Sequence, residues 1–325
     1  MRISIGYSGS TPLPETFPAA DAAEAKGLDG IWSAEHVGLN DAIVPATAYA
    51  CRTSRLELGI MGLNADTRSP GVLAMEIATL NSIAPGRVRL HVGTGSPQRG
   101  ARIGATGTRT VRGVEAFVSA LRALLRGEAV TASSEAFALD GLTIAADPSL
   151  PPVAIDVMAI RPRMTALAAR IADGLSLSVG ASHDYLRSQV ALSERVLEET
   201  GRDRADFRVS AVVLACVDDD YEAALGKLAA IAATFPISSV PEMHAGLELP
   251  DHGMLKQTIA EEGAAAAGKL FARETVEGLG LVATPATLSA AIDRYRADGI
   301  DELIVMSSSA PASHPALIGL LAKAR

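Results

Sequence analysis

Aromatic residues are scarce in this chain: Phe, Tyr and Trp make up 4% of 325 residues, with a single Trp. A core with so few rings must be filled by aliphatic and alanine side chains, packed closely between strands and Ala-rich helices. Cysteine is equally sparse. Cys51 and Cys216 are too few for a disulfide framework and form no Cys-x-x-Cys pair, which excludes a stapled secreted scaffold and a zinc module. Both read as core, Cys51 on a predicted helix and Cys216 in an apolar strand. No apolar stretch reaches 18 residues, so no membrane span is expected. Basic runs are missing too. A formal net charge of -8 and a pI near 5.3 argue against nucleic acid as a partner, because binders of a phosphate backbone concentrate Lys and Arg on one face. The opening MRISIGYSG enters a strand directly, without the basic and then apolar segments of an export signal, so the expected location is the cytoplasm.

Familiar phosphate and metal motifs are also absent. There is no GxxxxGK[ST] loop, and Gly93-Thr94-Gly95 lacks the third glycine of a dinucleotide fingerprint and follows the fourth strand instead of the first. His91, His183, His244, His252 and His314 never fall at ligand spacing, so no metal is expected, and His91 reads as a packed strand residue.

What the chain does contain is alternation. Apolar, β-branched runs bounded by turn residues occur at 3–7, 30–33, 56–61, 88–92, 153–157, 174–178, 207–217 and 302–306. Helical periods lie between most of them, at 14–26, 42–52, 71–83, 111–126, 161–172, 183–199, 221–234 and 285–297. Eight strand-helix units predict an α/β fold of the (β/α)8 TIM-barrel type, one domain over 1–325. With 48% hydrophobic and 20% charged residues and a mean hydropathy of +0.24, the core is well supplied. Two stretches break the rhythm. Residues 128–152 predict a short hairpin with turn chemistry at Asp140-Gly141. Residues 235–281 form a long insertion before the last strand, with a helix over 254–271, and predict a wall or lid at the substrate side.

Parallel barrels carry their chemistry at the carboxyl ends of the strands. Glu35-His36 follows the second strand, where a carboxylate and an imidazole suit proton transfer near pH 7. Met61-Gly62-Leu63-Asn64 ends the third and suggests a bulge. Gly93-Thr94-Gly95-Ser96 ends the fourth, where small residues admit a flat ring or an anion to the backbone. Ala159-Ile160-Arg161-Pro162-Arg163 follows the fifth, where a helix N-terminus and two guanidinium groups suit an anionic tail.

With these loops in order the chain resembles the bacterial luciferase-like superfamily, and within it the deazaflavin-dependent oxidoreductases that include methylene-tetrahydromethanopterin reductase. The resemblance is carried by residues 27–36 (GLDGIWSAEH), by Leu58-Gly59 through Asn64 to Thr67-Arg68-Ser69-Pro70, and by Gly86-Arg87 leading to Gly93-Thr94-Gly95-Ser96. Further matches are residues 124–128, Pro162-Arg163-Met164 with residues 171–174, and Thr284-Pro285 followed by residues 299–303. It implies a luciferase-like barrel that binds coenzyme F420, or alternatively FMN, and passes hydride between it and a small organic substrate. In such enzymes the third-strand bulge, often with a cis non-proline peptide, backs the central ring; Met61, Gly62 and Leu63 would hold it here. The cofactor phosphate would sit at Ala159, Ile160, Arg161 and Arg163 and at Gly180, Ala181 and Ser182. Glu35 and His36 would handle the proton, while Asn64, Thr94 and Ser96 would bond the ring edge or substrate. The sugar-phosphate dehydrogenase branch places an acid after the GTG and a Trp four residues after the His. Here those positions are Ser96 and Asn40, both assigned to the substrate side, and that branch is not expected. The alternatives are an FMN-dependent monooxygenase and a cofactor-binding protein without turnover. A homodimer is the expected assembly.

Overall fold

Each barrel strand hides two faces, one toward helices and one toward the barrel axis, and the sequence supplies both. The structure is a computed structural model that describes residues 1–95, 100–105, 110–234, 240–307 and 313–325. Eight strands form the barrel: β1 (Arg2–Tyr7), β2 (Gly30–Ala34), β3 (Glu57–Asn64), β4 (Val88–Gly93), β7 (Ala154–Ala159), β8 (Gly174–Leu177), β9 (Arg208–Val217) and β11 (Glu302–Ser307). They run parallel in the order β9-β11-β1-β2-β3-β4-β7-β8, and the ring closes where Gly174 to Leu177 of β8 pair with Arg208 to Ala211 of β9. All eight coincide with the strands expected from the sequence.

The outer face of the strands carries Ile3, Ile5, Ile31, Leu58, Ile60, Leu90, Val92, Ile155, Val157, Leu175, Val209, Leu303 and Val305, all buried against the helices. Three of the helices around the mouth begin where a short polar side chain caps them. Ser69 accepts from the Gly71 N–H before α3 (Pro70–Ile83), and Thr110 from the Gly113 N–H before α4 (Val111–Leu125). Ser182 accepts from the Tyr185 N–H before α6 (His183–Glu199). Residues 13–26, 43–52 and 162–171 form α1, α2 and α5.

Inside the barrel the residues alternate by height. At the amino-terminal end the interior is ionic: Arg89 holds Asp156 with two bonds of 2.7 Å, and Arg208 bridges Glu57 at 2.6 Å and Glu302 at 3.0 Å. Glu302 also accepts from the Trp32 indole at 3.2 Å. His91 is fully buried, with Nε2 3.2 Å from Asp156 and its ring 4.0 Å from that of Trp32, so it is the packed strand residue expected. Gly59 leaves room for this: a Cβ there would overlap the Trp32 indole. Above this layer Trp32, Ala34, Met61, Val212 and Ile304 form an apolar cluster that separates the charges from the mouth.

Three local expectations are corrected. The hairpin forms from β5 (Val130–Ser133) and β6 (Ala138–Leu142), but it turns at Ser134 to Phe137, where the Ser134 N–H donates to the Phe137 carbonyl at 2.8 Å. Asp140-Gly141 instead lies inside β6, with Gly141 at φ +60° beside an irregularity in the pairing. The helix expected over 254–271 is two, α8 (His252–Glu262) and α9 (Ala264–Gly268), because Gly263 takes φ +87° and ends the first. Cys51 is exposed on α2, while Cys216 is buried as expected. The insertion also contributes α10 (Arg273–Leu279) and a strand that the sequence reading missed, β10 (Leu281–Ala283), which pairs with Ala215 to Val217 of β9. Together with α7 (Tyr221–Ala232) these elements enclose a second, smaller core of Cys216, Leu228, Leu255, Phe271, Val276 and Leu279. The chain continues through α11 (Leu288–Ala297) into β11 and ends in α12 (His314–Ala324).

Candidate active site

The carboxyl ends of β2 and β3 are locked together by one glycine. Pairing of β3 with β4 slips between Ile60 and Leu63, so the expected bulge is present, and Gly62 sits at φ +81° within it. A Cβ on Gly62 would stand 2.6 Å from the Glu35 carbonyl oxygen, while the Glu35 N–H donates to the Met61 carbonyl at 2.8 Å. All peptide bonds among the described residues are trans, so the cis bond implied by the resemblance is not part of this bulge. Met61 faces the barrel axis and joins the apolar cluster below the mouth, and Leu63 is buried on the helix side.

Asn64 and the β4 loop fit edge to edge. Gly95 takes φ +66°, and a Cβ on it would overlap the Asn64 amide. The Ala65 N–H donates to the Gly93 carbonyl at 3.0 Å, and a Cβ on Gly93 would press on Met158 at 3.1 Å. Thr94 is half-buried at the rim. Ser96 lies outside the described residues.

Glu35 does not stand alone. Arg68 donates to it at 2.6 Å and spans to Glu76 on α3 with two bonds of 2.9 Å. Burial pushes the Glu35 carboxyl above its ordinary value, with the Arg68 guanidinium opposing. Arg68 was quoted from the sequence only as part of a matching loop, and Glu76 was missed. Its signal is that it is the sole charged residue of α3, PGVLAMEIATLNSI. His36 is half-buried, and its Nδ1 faces the Gly9 N–H at 3.4 Å. The Asn40 side chain reaches the Thr11 carbonyl at 3.3 Å and its N–H donates to Gly9 at 3.1 Å, so both loops are tied to the end of β1.

On the opposite side of the mouth, Ala159 is buried, and the Ile160 carbonyl accepts from the Tyr185 hydroxyl at 2.6 Å. Arg161 and Arg163 are exposed at the start of α5. Arg163 lines a groove of about 570 Å³ together with Thr94, Arg112, Ser133 and Ser134, and the groove runs across the N-terminus of α4. Two guanidinium groups, a helix N-terminus and hydroxyls meet the rim of the mouth in one channel with the carboxylates Asp66 and Glu135, so the part of it suited to an anion is the side formed by Arg112, Arg163 and the start of α4. Gly180, Ala181 and Ser182 are buried beneath the insertion. The Ser182 hydroxyl is committed, donating to the Ala245 carbonyl at 2.7 Å and accepting from the Tyr185 N–H at 3.2 Å. The nearby His244 was passed over in the sequence because it has no metal-ligand spacing. Among the described residues there is no cluster of three or more His, Cys, Asp or Glu fit for a metal ion, and no helix long and apolar enough to cross a membrane.

Residues 2–302 match the family model for luciferase-like monooxygenases. The chain is 25% identical to 5,10-methylenetetrahydromethanopterin reductase of Methanolobus tindarius over 98% of its length and 97% of the relative's. It is 31% identical to F420-dependent glucose-6-phosphate dehydrogenase of Nakamurella multipartita, covering 80% and 79% of the two chains. In fold it is similar to the coenzyme F420 dependent tetrahydromethanopterin reductase of Methanopyrus kandleri, with a TM-score of 0.88, 19% identity, and 99% and 97% of the chains covered.

Proposed function

The chain belongs to the luciferase-like monooxygenase family, and on that premise we propose that it is an oxidoreductase that uses coenzyme F420 to pass hydride to or from a small organic substrate at the barrel mouth. The observation that carries this reading is the groove beside Thr94, where Arg112, Arg163 and the α4 N-terminus can hold a long anionic tail. The residues present fit the ring as well. Met61, Ala34 and Val212 offer an apolar floor, and Gly62 and Gly95 keep the backbone close where any side chain would intrude. Similarity to F420-dependent relatives supports the same choice.

When bound, the deazaflavin supplies the hydride chemistry at its C5. The chain's own residues bind, orient and exclude water. Gly62, by packing on Glu35, sets the height of the floor relative to the His36 loop. Arg68 fixes Glu35 to α3, so the proton-handling role falls to His36, which stands at the mouth and is anchored through Nδ1. Asn64 and Thr94 line the edge where ring or substrate polar atoms arrive.

The second reading, an FMN-dependent monooxygenase, is favoured by the family's own description. A direct titration separates the two: F420 should bind more tightly than FMN, and Arg163→Ala should weaken F420 more than FMN. Tighter FMN binding with oxygen-dependent turnover would overturn the first reading, and tight binding without turnover of any kind would leave a binding protein.

Assembly follows from a face without cover. Val44 on α2 and Val72, Met75 and Ile83 on α3 are exposed, with Thr79 and Ser82 exposed on α3 as well. We assign this face to a second copy of the chain. Light scattering should give a dimer, and Met75→Lys with Val72→Lys should give a monomer.

A further inference from the structure

His244 lies in the short helical turn Pro241–His244 of the insertion, 5% exposed, and neither ring nitrogen has a hydrogen-bond partner. Buried polar side chains in folded proteins are nearly always bonded, so an orphaned imidazole asks for a partner. Loose packing does not account for it. The Ser182 N–H donates to the carbonyl of Met243 at 2.8 Å and the Ser182 hydroxyl to that of Ala245 at 2.7 Å, which clamps the residues on both sides of His244. Gly246 at φ +78° packs against the Asp184 carboxylate, where a Cβ would overlap it, and the Thr275 hydroxyl donates to the Glu248 carbonyl at 3.0 Å. Ser182 follows β8, so the clamp holds the backbone around His244 at the carboxyl end of the barrel.

Burial pushes the His244 pKa below its ordinary value, with no charged group contributing. At neutral pH the ring is therefore uncharged and presents one N–H donor and one bare acceptor nitrogen.

We propose that His244 is a substrate-binding residue of the barrel mouth and that it receives an uncharged oxygen group, a hydroxyl or the corresponding carbonyl. The proposal rests on the oxidoreductase reading above, in which substrate and product differ by a hydride and a proton. A hydroxyl donates to the bare nitrogen, a carbonyl accepts from the N–H, and one neutral ring serves both states. A carboxylate or phosphate can accept only from the single N–H, and it brings a charge that the neutral buried ring does not offset, so it is held less well than an uncharged oxygen group.

The test uses full-length protein labelled with 15N-histidine, with the His244 resonances assigned by their loss in His244→Gln. Cyclohexanol, cyclohexanone and cyclohexanecarboxylate serve as probes, added first to the ligand-free chain and then after saturation with F420. Both neutral probes should shift the His244 ring resonances, and at lower concentration than the carboxylate does. His244→Leu should weaken cyclohexanol binding about 3- to 10-fold, the effect of one lost hydrogen bond to a neutral group. His244→Gln, which keeps a donor and an acceptor, should restore most of it, and F420 affinity should be the same in all three proteins. Silence of the ring toward both neutral probes, or a response to the carboxylate at equal or lower concentration, would overturn the proposal. Failure of F420 to bind sinks only the oxidoreductase reading, because the probe titrations on the ligand-free chain are read separately.

Discussion

The backbone carbonyl of Glu35 fills the space that a side chain on Gly62 would occupy. One strand end is thereby seated on the bulge of the next, and the loop carrying His36 takes its height from that contact. Gly62→Ala forces a methyl group into the carbonyl and a left-handed backbone onto an L-residue. The backbone term alone costs about 1–3 kcal/mol. Urea denaturation should show at least that loss, and cofactor affinity should fall with it. An alanine variant of wild-type stability and affinity would refute the seating role.

Arg68 ties Glu35 to Glu76, and the consequence is a pH dependence. Because burial raises the Glu35 pKa in the folded chain, the folded state binds more protons than the unfolded one between the ordinary and the raised value. Stability from this group is therefore full at low pH and declines as pH rises through that window. Glu35→Gln should flatten the curve there. Arg68→Met removes the opposing cation, moves the window upward, and should lower stability at pH 7 by about 1.5–3 kcal/mol. Denaturation midpoints measured from pH 4 to 7 decide it; curves parallel to wild type would rule out Glu35 as the titrating group.

His36 stands at the mouth, with Nδ1 turned to the Gly9 N–H. Its replacement by Ala should leave the fold and cofactor affinity intact and lower kcat by about 10²- to 10⁴-fold, the usual contribution of a positioned acid or base. Steady-state kinetics once a substrate is in hand, with a cofactor titration beside them, make the comparison. An unchanged kcat would reduce His36 to a loop anchor.

Asp156 is fully buried between Arg89 and His91. Burial alone would push its carboxyl up, but the Arg89 guanidinium and His91 hold it below the ordinary value. The sign is opposite to that of Glu35: its contribution is complete above the unfolded carboxylate range and is lost as pH falls through the lowered folded value. Asp156→Asn leaves Arg89 buried without its counter-charge, which should cost about 3–5 kcal/mol at pH 7. Asp156→Leu combined with Arg89→Met should recover part of that in thermal unfolding, and no recovery would contradict the uncompensated charge as the cause.

Much of this molecule is legible one segment at a time. Strands β1 to β4, β7 to β9 and β11 announce themselves because an apolar run bounded by turn residues is a local signal, whereas the three residues of β10 are too short a run to give one. Ser69, Thr110 and Ser182 announce helix starts because a cap bonds two or three residues ahead. The bulge at Gly62 and the tight approach at Gly95 were readable for the same reason: glycine records a backbone requirement at its own position. Within the long insertion, sequence marked a helix but missed the break at Gly263, since a glycine in an Ala-rich run carries no sign that it will turn left-handed.

What the sequence by itself determined is the alternation of strand and helix, hence the barrel, and which loops share its mouth. Tertiary structure alone decided which side chains meet across those loops. Glu35 finds Arg68 from 33 residues away, Ser182 spends its hydroxyl on Ala245, and His244 is buried without a partner. Periodicity specifies the face on which a residue stands. The partner it meets depends on loop closure and on burial shared by distant segments, and neither leaves a mark in a local window of sequence.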